Sequence, residues 1–257
     1  MSFIAKPVPT FAGHALTLRG VTKRYGAVEA LRDADLDVAP GDVLGICGDN
    51  GAGKSTLIRI ISGAQEPSAG AMTVRGAAVR FRSPHDAHAA GIATIYQDLA
   101  LSPRLAIWQN VFLGAELTRF GLLDKARMRA DAAAYLARLG ITLTDTDMAV
   151  ENLSGGQRQA VAISRALRWN AELIVMDEPT AALGVKETAQ VLNLIRRLKA
   201  DGKTIILVSH NMADVVAVAS RVAIFKSGRK VIDRPVAGLD ADRLAHMVMT
   251  GRDSAAN

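Results

Sequence analysis

Apolar positions alternate with polar ones from Leu16 to Arg24 and again from Ala34 to Val38, which predicts two strands each with one buried face. Pro40-Gly41 marks a turn, and Val43–Cys47 is a continuous apolar run of the kind that forms a fully buried strand. Leu57, Ile60 and Ile61 then fall at helical spacing, so a strand–loop–helix unit is expected around the glycine-rich stretch between them. From Asp98 to about Asn152 the pattern reads as helical, with Asp124 to Leu139 rich in Ala, Leu and Arg and Gly140 as its stop. Strand and helix alternate again beyond it. Leu173–Met176 predicts a strand, Thr188–Ala200 a helix with Val191, Ile195 and Leu198 on one face, and Thr204–Val208 a strand. Arg221–Lys226, Ser227-Gly228 and Lys230–Ile232 read as a hairpin, and Asp240–Met249 as a closing helix. The first dozen residues, with Pro7 and Pro9, read as a loose leader. The whole predicts one α/β domain over residues 1–257: a parallel-stranded core over about 14–97 and 158–250, with a helical block over about 98–157 inserted into it.

Composition narrows the class. The 49% hydrophobic content fits a globular chain, and no apolar run reaches the roughly 18–20 residues that span a bilayer. Met1–Thr10 has no basic segment followed by an apolar one, so no secretory signal is expected. The one cysteine, Cys47, excludes an internal disulfide framework and sits in a predicted buried strand, where core packing is the expected role. A net charge of +6 raises nucleic acid or an anionic membrane as partners, but Lys and Arg come in ones and twos, such as Lys23-Arg24 and Arg196-Arg197. A solvated surface with phosphate-binding duty is the better reading, and no nucleic-acid partner is expected.

The chemistry gathers at a few places. Gly48-Asp49-Asn50-Gly51-Ala52-Gly53-Lys54-Ser55 fits the phosphate loop G-x-x-x-x-G-K-[ST]. Glycines let backbone N–H groups turn inward into a nest, and the following helix adds its positive end. Lys54 reaches the β- and γ-phosphates of a nucleotide, and the Ser55 hydroxyl is a ligand for Mg²⁺. Asp177 and Glu178 end a buried strand, where adjacent carboxylates are costly without a cation nearby. Asp177 is expected to hold Mg²⁺, directly or through water, and Glu178 to polarise the attacking water as general base. Gln97 follows the apolar stretch Ile92–Tyr96, and its amide can reach Mg²⁺ or the attacking water. His210 follows the strand Thr204–Val208 and Ser209, where an imidazole can contact the γ-phosphate and orient the nucleophile. Tyr25 ends an early strand and can stack on adenine. His14, His85, His88 and His246 read as structural, with no metal-ligand spacing between them.

Leu153-Ser154-Gly155-Gly156-Gln157 lies downstream of the loop and shortly before the Asp-Glu strand. With Tyr25, Gly48–Ser55, Gln97, Asp177-Glu178 and His210 in that order, the chain resembles the ATP-binding cassette superfamily over nearly its whole length. The resemblance implies a RecA-like α/β core of the P-loop NTPase type, an antiparallel β part at the N-terminus and an inserted helical subdomain. It implies ATP and Mg²⁺ as cofactors and puts Thr56 on the α-phosphate side of the loop. It also implies that Ser154, Gly155, Gly156 and Gln157 of one subunit face the γ-phosphate held by a second. A serine donor and a helix starting after Gly156 are physically suited to that duty.

A finer resemblance is to the ATPases of monosaccharide importers for ribose, xylose, galactose and fructose. It rests on Ile95-Tyr96-Gln97-Asp98-Leu99-Ala100-Leu101, Trp108-Gln109-Asn110-Val111-Phe112-Leu113-Gly114 and Ser209-His210-Asn211-Met212. Most such chains carry two cassettes; one is found here, as in the fructose-type subset. The expected assembly is a homodimer on a separate multi-span permease, peripheral on the cytoplasmic face of the membrane, served indirectly by an external sugar-binding protein. A groove near Gln97–Leu113 is expected to seat a permease helix, with Trp108 and Phe112 as candidate lining or as core residues. Other cargo, or a soluble cassette ATPase acting on ribosomes or DNA, are the rival readings; the latter usually has tandem cassettes, a basic linker, or a coiled-coil or zinc insertion, none of which is found. One departure stands out. After Glu178-Pro179-Thr180 the wider family usually has Ser-Ala-Leu-Asp, whereas this chain has Ala181-Ala182-Leu183-Gly184. The usual Asp contacts the opposite subunit's loop, so looser coupling between two sites is expected here.

Overall fold

A computed structural model describes residues 13–141 and 145–253. The leader read over the first dozen residues lies outside the described residues. The chain begins with β1 (Leu16–Tyr25) and β2 (Val28–Val38), an antiparallel pair. Leu16, Leu18 and Val21 of β1 and Leu31, Ala34, Leu36 and Val38 of β2 are buried, which is the alternation expected of a sheet with one wet face. β3 (Val43–Gly48) is buried at every position and runs through a loop into α1 (Lys54–Ile61), whose Leu57, Ile58, Ile60 and Ile61 are buried. β4 (Ala69–Val74) and β5 (Ala77–Val79) complete a four-stranded sheet in the order β2-β1-β4-β5. α2 (Pro84–Ala89) opens with Ser83 as N-cap, Pro84 at its first turn and Asp86 closing a capping box.

β6 (Ile92–Ile95) enters the second sheet, and the chain then leaves it. The excursion holds α3 (Ile107–Phe112), a small hairpin of β7 (Thr118–Arg119) and β8 (Leu122–Leu123), and α4 (Lys125–Arg138). The hairpin corrects the all-helical reading of this region. Phe120 and Gly121 both have positive φ, 53° and 79°, which makes the tight two-residue turn that joins twisted strands. α4 is capped by Asp124, and Gly140 at φ 73° ends it, as its sequence predicts.

α5 (Gly155–Arg168) returns the chain to β9 (Leu173–Asp177), α6 (Val185–Ala200), β10 (Thr204–Val208), α7 (Met212–Val218), β11 (Arg221–Lys226), β12 (Arg229–Pro235) and α8 (Ala241–Thr250). The larger sheet has the order β12-β11-β3-β10-β9-β6, parallel throughout except for the β11–β12 hairpin. One apolar cluster packs α3, α4, α5 and α6 against one face of this sheet, with Phe112, Met128, Ile163 and Ile195 at its centre. A second joins α1 and the four-stranded sheet to the other face through Leu18, Leu36, Ile58 and Ile206. The parallel strands therefore deliver Gly48, Asp177 and Val208 to the same sheet edge, each followed by a loop, as ligand-binding α/β sheets do.

Candidate functional site

The loop after β3 is shaped by what its glycines touch. Gly48 has φ 155°, and a Cβ there would lie 2.3 Å from the Phe225 carbonyl oxygen on β11. Gly53, at φ 104°, is the N-cap of α1, and its Cβ would lie 2.7 Å from the Ala30 oxygen of β2. The loop is thus wedged between the two sheets, where no side chain fits at either position. Gly228 N donates to Ala52 O (3.1 Å), which staples the loop to the β11–β12 turn. The Lys54 ammonium folds back over the loop and donates to Gly48 O (2.6 Å) and Asp49 O (3.0 Å). It is therefore held directly above the nest by weak neutral acceptors that a phosphate can replace. A cavity of about 470 Å³ opens here, lined by Asn50 to Thr56, by Val28, Glu29, Ala30 and Arg32, and by Ser227.

Tyr25 lies at the end of β1, 41% exposed, with Lys23 Nζ 5.4 Å from its ring centroid. Its hydroxyl hydrogen-bonds Gln65 Oε1. It is not among the residues lining that cavity, although Val28, three residues on, is.

Asp177 and Glu178 sit at the end of β9, beside β3 through β10. Burial pushes the Asp177 carboxyl above its ordinary value, and the charge of Glu178 pushes it the same way, against the pull of Lys54 and Arg59. Glu178 has φ 52°, a left-handed backbone that is strained for a residue with a Cβ. Its amide donates to Val208 O (2.9 Å), which fixes that turn against β10. Its Oε2 lies 2.5 Å from His210 Nδ1 and accepts a longer bond from His210 N (3.4 Å). The carboxylate is mostly covered while the imidazole is mostly exposed, 16% against 71% of the side chain. The loop after β9 is also tied to α7, by Thr180 Oγ1 donating to buried Asp214 Oδ2 (2.6 Å). Sequence reasoning missed that tie and the capping of α7 by Asn211, although an Asn two residues before Ala213 is a readable N-cap signal.

Ser154 is the N-cap of α5, which starts at Gly155 and not after Gly156. Its Oγ accepts from Gln157 N (3.3 Å), and its own amide donates to Gln157 Oε1 (2.9 Å), a reciprocal capping box. The two glycines have a packing reason that spacing alone did not reveal. A Cβ on Gly155 would lie 2.4 Å from Leu183 Cδ2, and one on Gly156 2.5 Å from Gln190 Oε1. The start of α5 is therefore pressed onto the loop after Glu178 and onto α6. A second cavity, about 330 Å³, lies in this corner and is shared by Gln97, Gly155, Glu178 and Ala182. The structure thus brings Gln97 to Glu178 and to the start of α5. Asn50 to Thr56 line a separate cavity, and Gly48, Asp49, Asp177 and His210, like Ser154, Gly156 and Gln157, line neither.

Trp108 and Phe112 are buried, 6% and 2% exposed, so both are core residues and not groove lining. Leu113 and Trp169 beside them are exposed, as are Phe120, Leu122 and Leu123 of the small hairpin. Cys47 is buried, with its thiol pushed up to about 12 by desolvation, which fits core packing. No helix among the described residues is long and apolar enough to cross a membrane.

A strand-to-helix phosphate loop on a parallel sheet, with a carboxylate pair at the end of the strand two places away, defines a nucleoside-triphosphate-binding fold. Residues 31–181 match the family described as ABC transporter, and the chain belongs to that family. It is 50% identical over 224 residues to the fructose import ATP-binding protein FrcA of Rhizobium meliloti, covering 84% of this chain and 86% of that one. Identity is 46% over 219 residues to the xylose/arabinose import ATP-binding protein XylG of Sulfolobus acidocaldarius, covering 85% of this chain and 87% of the other. Among solved structures, the chain is similar to the dimeric post-hydrolysis state of the ATP-binding cassette MJ0796 bound to ADP and Pi, with a TM-score of 0.72 and 27% identity over 87% of this chain and all of that one.

Proposed function

We propose that the chain is the ATP-hydrolysing subunit of a monosaccharide importer and works as a pair of identical copies on a separate membrane permease. The observation that carries this is the similarity to two sugar-import ATP-binding proteins over 84% and 85% of the chain, and the phosphate loop with Asp177 and Glu178 supports it. The dimeric cassette bound to ADP and Pi supports the paired arrangement.

In this reading the inward N–H groups of Gly48–Ser55, with Thr56, hold the nucleotide phosphates, and Tyr25 stacks on the adenine after its ring turns from Gln65. Lys54 leaves the Gly48 and Asp49 carbonyls for phosphate oxygens. Mg²⁺ fits the donors present, which are the Ser55 hydroxyl, the Asp177 carboxylate and the Gln97 amide oxygen, all hard oxygens. The described residues hold no group of three or more His, Cys, Asp or Glu side chains suited to a metal, so the ion would take its other ligands from phosphate and water. The raised Asp177 carboxyl beside Glu178 is a site short of positive charge, which such an ion would supply. Bound there, it would neutralise charge on the phosphates. Glu178 takes the proton of the attacking water, and His210 holds the Glu178 carboxylate in place and faces the γ-phosphate. Ser154 and the N-terminal amides of α5, with Gly155, Gly156 and Gln157, complete the site of the second copy.

The test is reconstitution with the permease in vesicles, with labelled fructose, xylose and ribose as cargo. ATP-dependent uptake of one of them is expected, and none with Glu178→Gln. Uptake of amino acids or lipids in their place would overturn the sugar reading.

A further inference from the structure

Asp214 is a buried acid, 5% exposed, that nucleotide chemistry leaves unused. It lies in the first turn of α7, and its Oδ2 accepts from Thr180 Oγ1 at 2.6 Å. That length is in the range of a hydroxyl bonded to an ionised carboxylate. Thr180 belongs to the turn that follows the Asp177-Glu178 pair, and this turn is strained at both ends. Glu178 has φ 52° and Ala182 has φ 58°, with buried Pro179 fixing its own φ between them. Inside the turn, Ala181 N donates to Glu178 O (3.1 Å) and Leu183 N to Thr180 O (3.3 Å). Two side-chain rungs then join it to the segment after β10. One runs from Glu178 to His210 Nδ1, the other from Thr180 to Asp214. The first is open to water at the imidazole, 71% of which is exposed, so solvent competes for it. The second is sheltered at its acceptor, where a hydrogen bond is electrostatically stronger than in water.

We propose that Thr180 and Asp214 are positioning residues for hydrolysis: the sheltered rung sets the separation of Glu178 from His210, and so the place where the base meets the attacking water. A general base acts only within hydrogen-bond reach of the proton it takes, and a misplacement of about 1 Å can cost about 100-fold in rate. Stability alone is a poor reason for the pair. A covered carboxylate with one hydroxyl partner is costly, and apolar groups in both places are close to neutral for a fold. What the pair supplies is a fixed length between two loops that both carry residues of the site. Neither Thr180 nor Asp214 lines the cavity shared by Asn50 to Thr56, so the rung acts on the hydrolytic step and not on the seat of the nucleotide. The inference rests on the reading of Glu178 as the base given above.

The test follows kcat and KM for ATP hydrolysis by the chain assembled with its permease, together with the thermal midpoint of the chain. Thr180→Val keeps the shape and removes the donor. Its kcat is expected to fall at least about ten-fold with KM within about two-fold of wild type, and its midpoint to drop because the Asp214 carboxylate is left without a partner. Thr180→Ser keeps the hydroxyl and should hold kcat within about two-fold. The double variant Thr180→Val with Asp214→Leu separates the rung from the fold: its midpoint should return toward wild type while kcat stays low. Turnover that returns with stability in the double variant would overturn the inference, as would a wild-type kcat in Thr180→Val or a loss in Thr180→Val carried by KM. Each of those results leaves Glu178 standing as the base. Undiminished hydrolysis in Glu178→Gln would instead break that reading and this inference with it.

Discussion

Glu178 unites a left-handed backbone, a mostly covered carboxylate and a 2.5 Å contact with His210 Nδ1. Strain of this kind persists only where the surroundings hold it, here through the Glu178 N to Val208 O bond. Glu178→Gln is expected to lower hydrolysis at least about 100-fold while nucleotide still binds, because only the proton acceptor is lost. Undiminished phosphate release in that variant would remove Glu178 as the base. Asp177 gives a test in pH. Its carboxyl is held above the ordinary value, so the folded chain favours the protonated acid. Stability from that acid is present below its unfolded pKa and is lost as pH rises through the folded one. Asp177→Asn should therefore raise the thermal midpoint of the nucleotide-free chain at neutral pH and weaken Mg²⁺-dependent ATP binding. A lower midpoint would contradict the desolvation argument. At this scale the sequence placed its motifs where the structure has them, Gly48–Ser55 between β3 and α1 and Asp177-Glu178 at the end of β9. It was silent on Thr180 with Asp214, because contacts between residues far apart in the chain leave no local pattern.

The elements owe their places to close approaches more than to propensity. Gly53 starts α1 because a side chain would strike β2 and because φ 104° is open only to glycine. Gly53→Ala is expected to cost about 1–3 kcal/mol, seen as a lowered thermal midpoint, and to impair nucleotide binding together with it. Loss of binding with full stability would mean that the wedge between the sheets is not what sets this residue. Gly155 lets α5 press on Leu183, so the start of α5 and the loop after Glu178 are in close contact. The strands β3, β9, β10 and β11 were readable as short unbroken apolar runs and the helices α4, α6 and α8 by their helical spacing, each with a clear stop. β4 and β5 escaped because Ala69–Val79 is rich in Ala and Gly and has little apolar contrast. The β7–β8 hairpin escaped because two-residue strands carry no period at all.

Across the whole molecule, Asn50 to Thr56 line one cavity, while Gly155 lines another together with Gln97 and Glu178. Gly184 adds a departure at the same surface. It caps α6 with no side-chain hydrogen bond, and a Cβ there would lie 2.7 Å from Glu187 Oε2. Gly184→Asp must displace Glu187, and it is expected to change ATPase cooperativity between the paired sites. An unchanged rate and cooperativity would show that the missing Asp is immaterial. The central claim is that Ser154–Gln157 of one copy meets the Gly48–Ser55 loop of another. Cys47 is buried and its thiol is pushed up by desolvation, so introduced cysteines are expected to report alone. In a Glu178→Gln background, Ser154→Cys chains are mixed with Asn50→Cys chains and oxidised. The account predicts a disulfide between the two kinds of chain that forms with ATP and Mg²⁺, is absent without ATP, and does not form in Ser154→Cys chains alone. Cross-linking of Ser154→Cys chains to one another, or no ATP-dependent cross-link in the mixture, would contradict it.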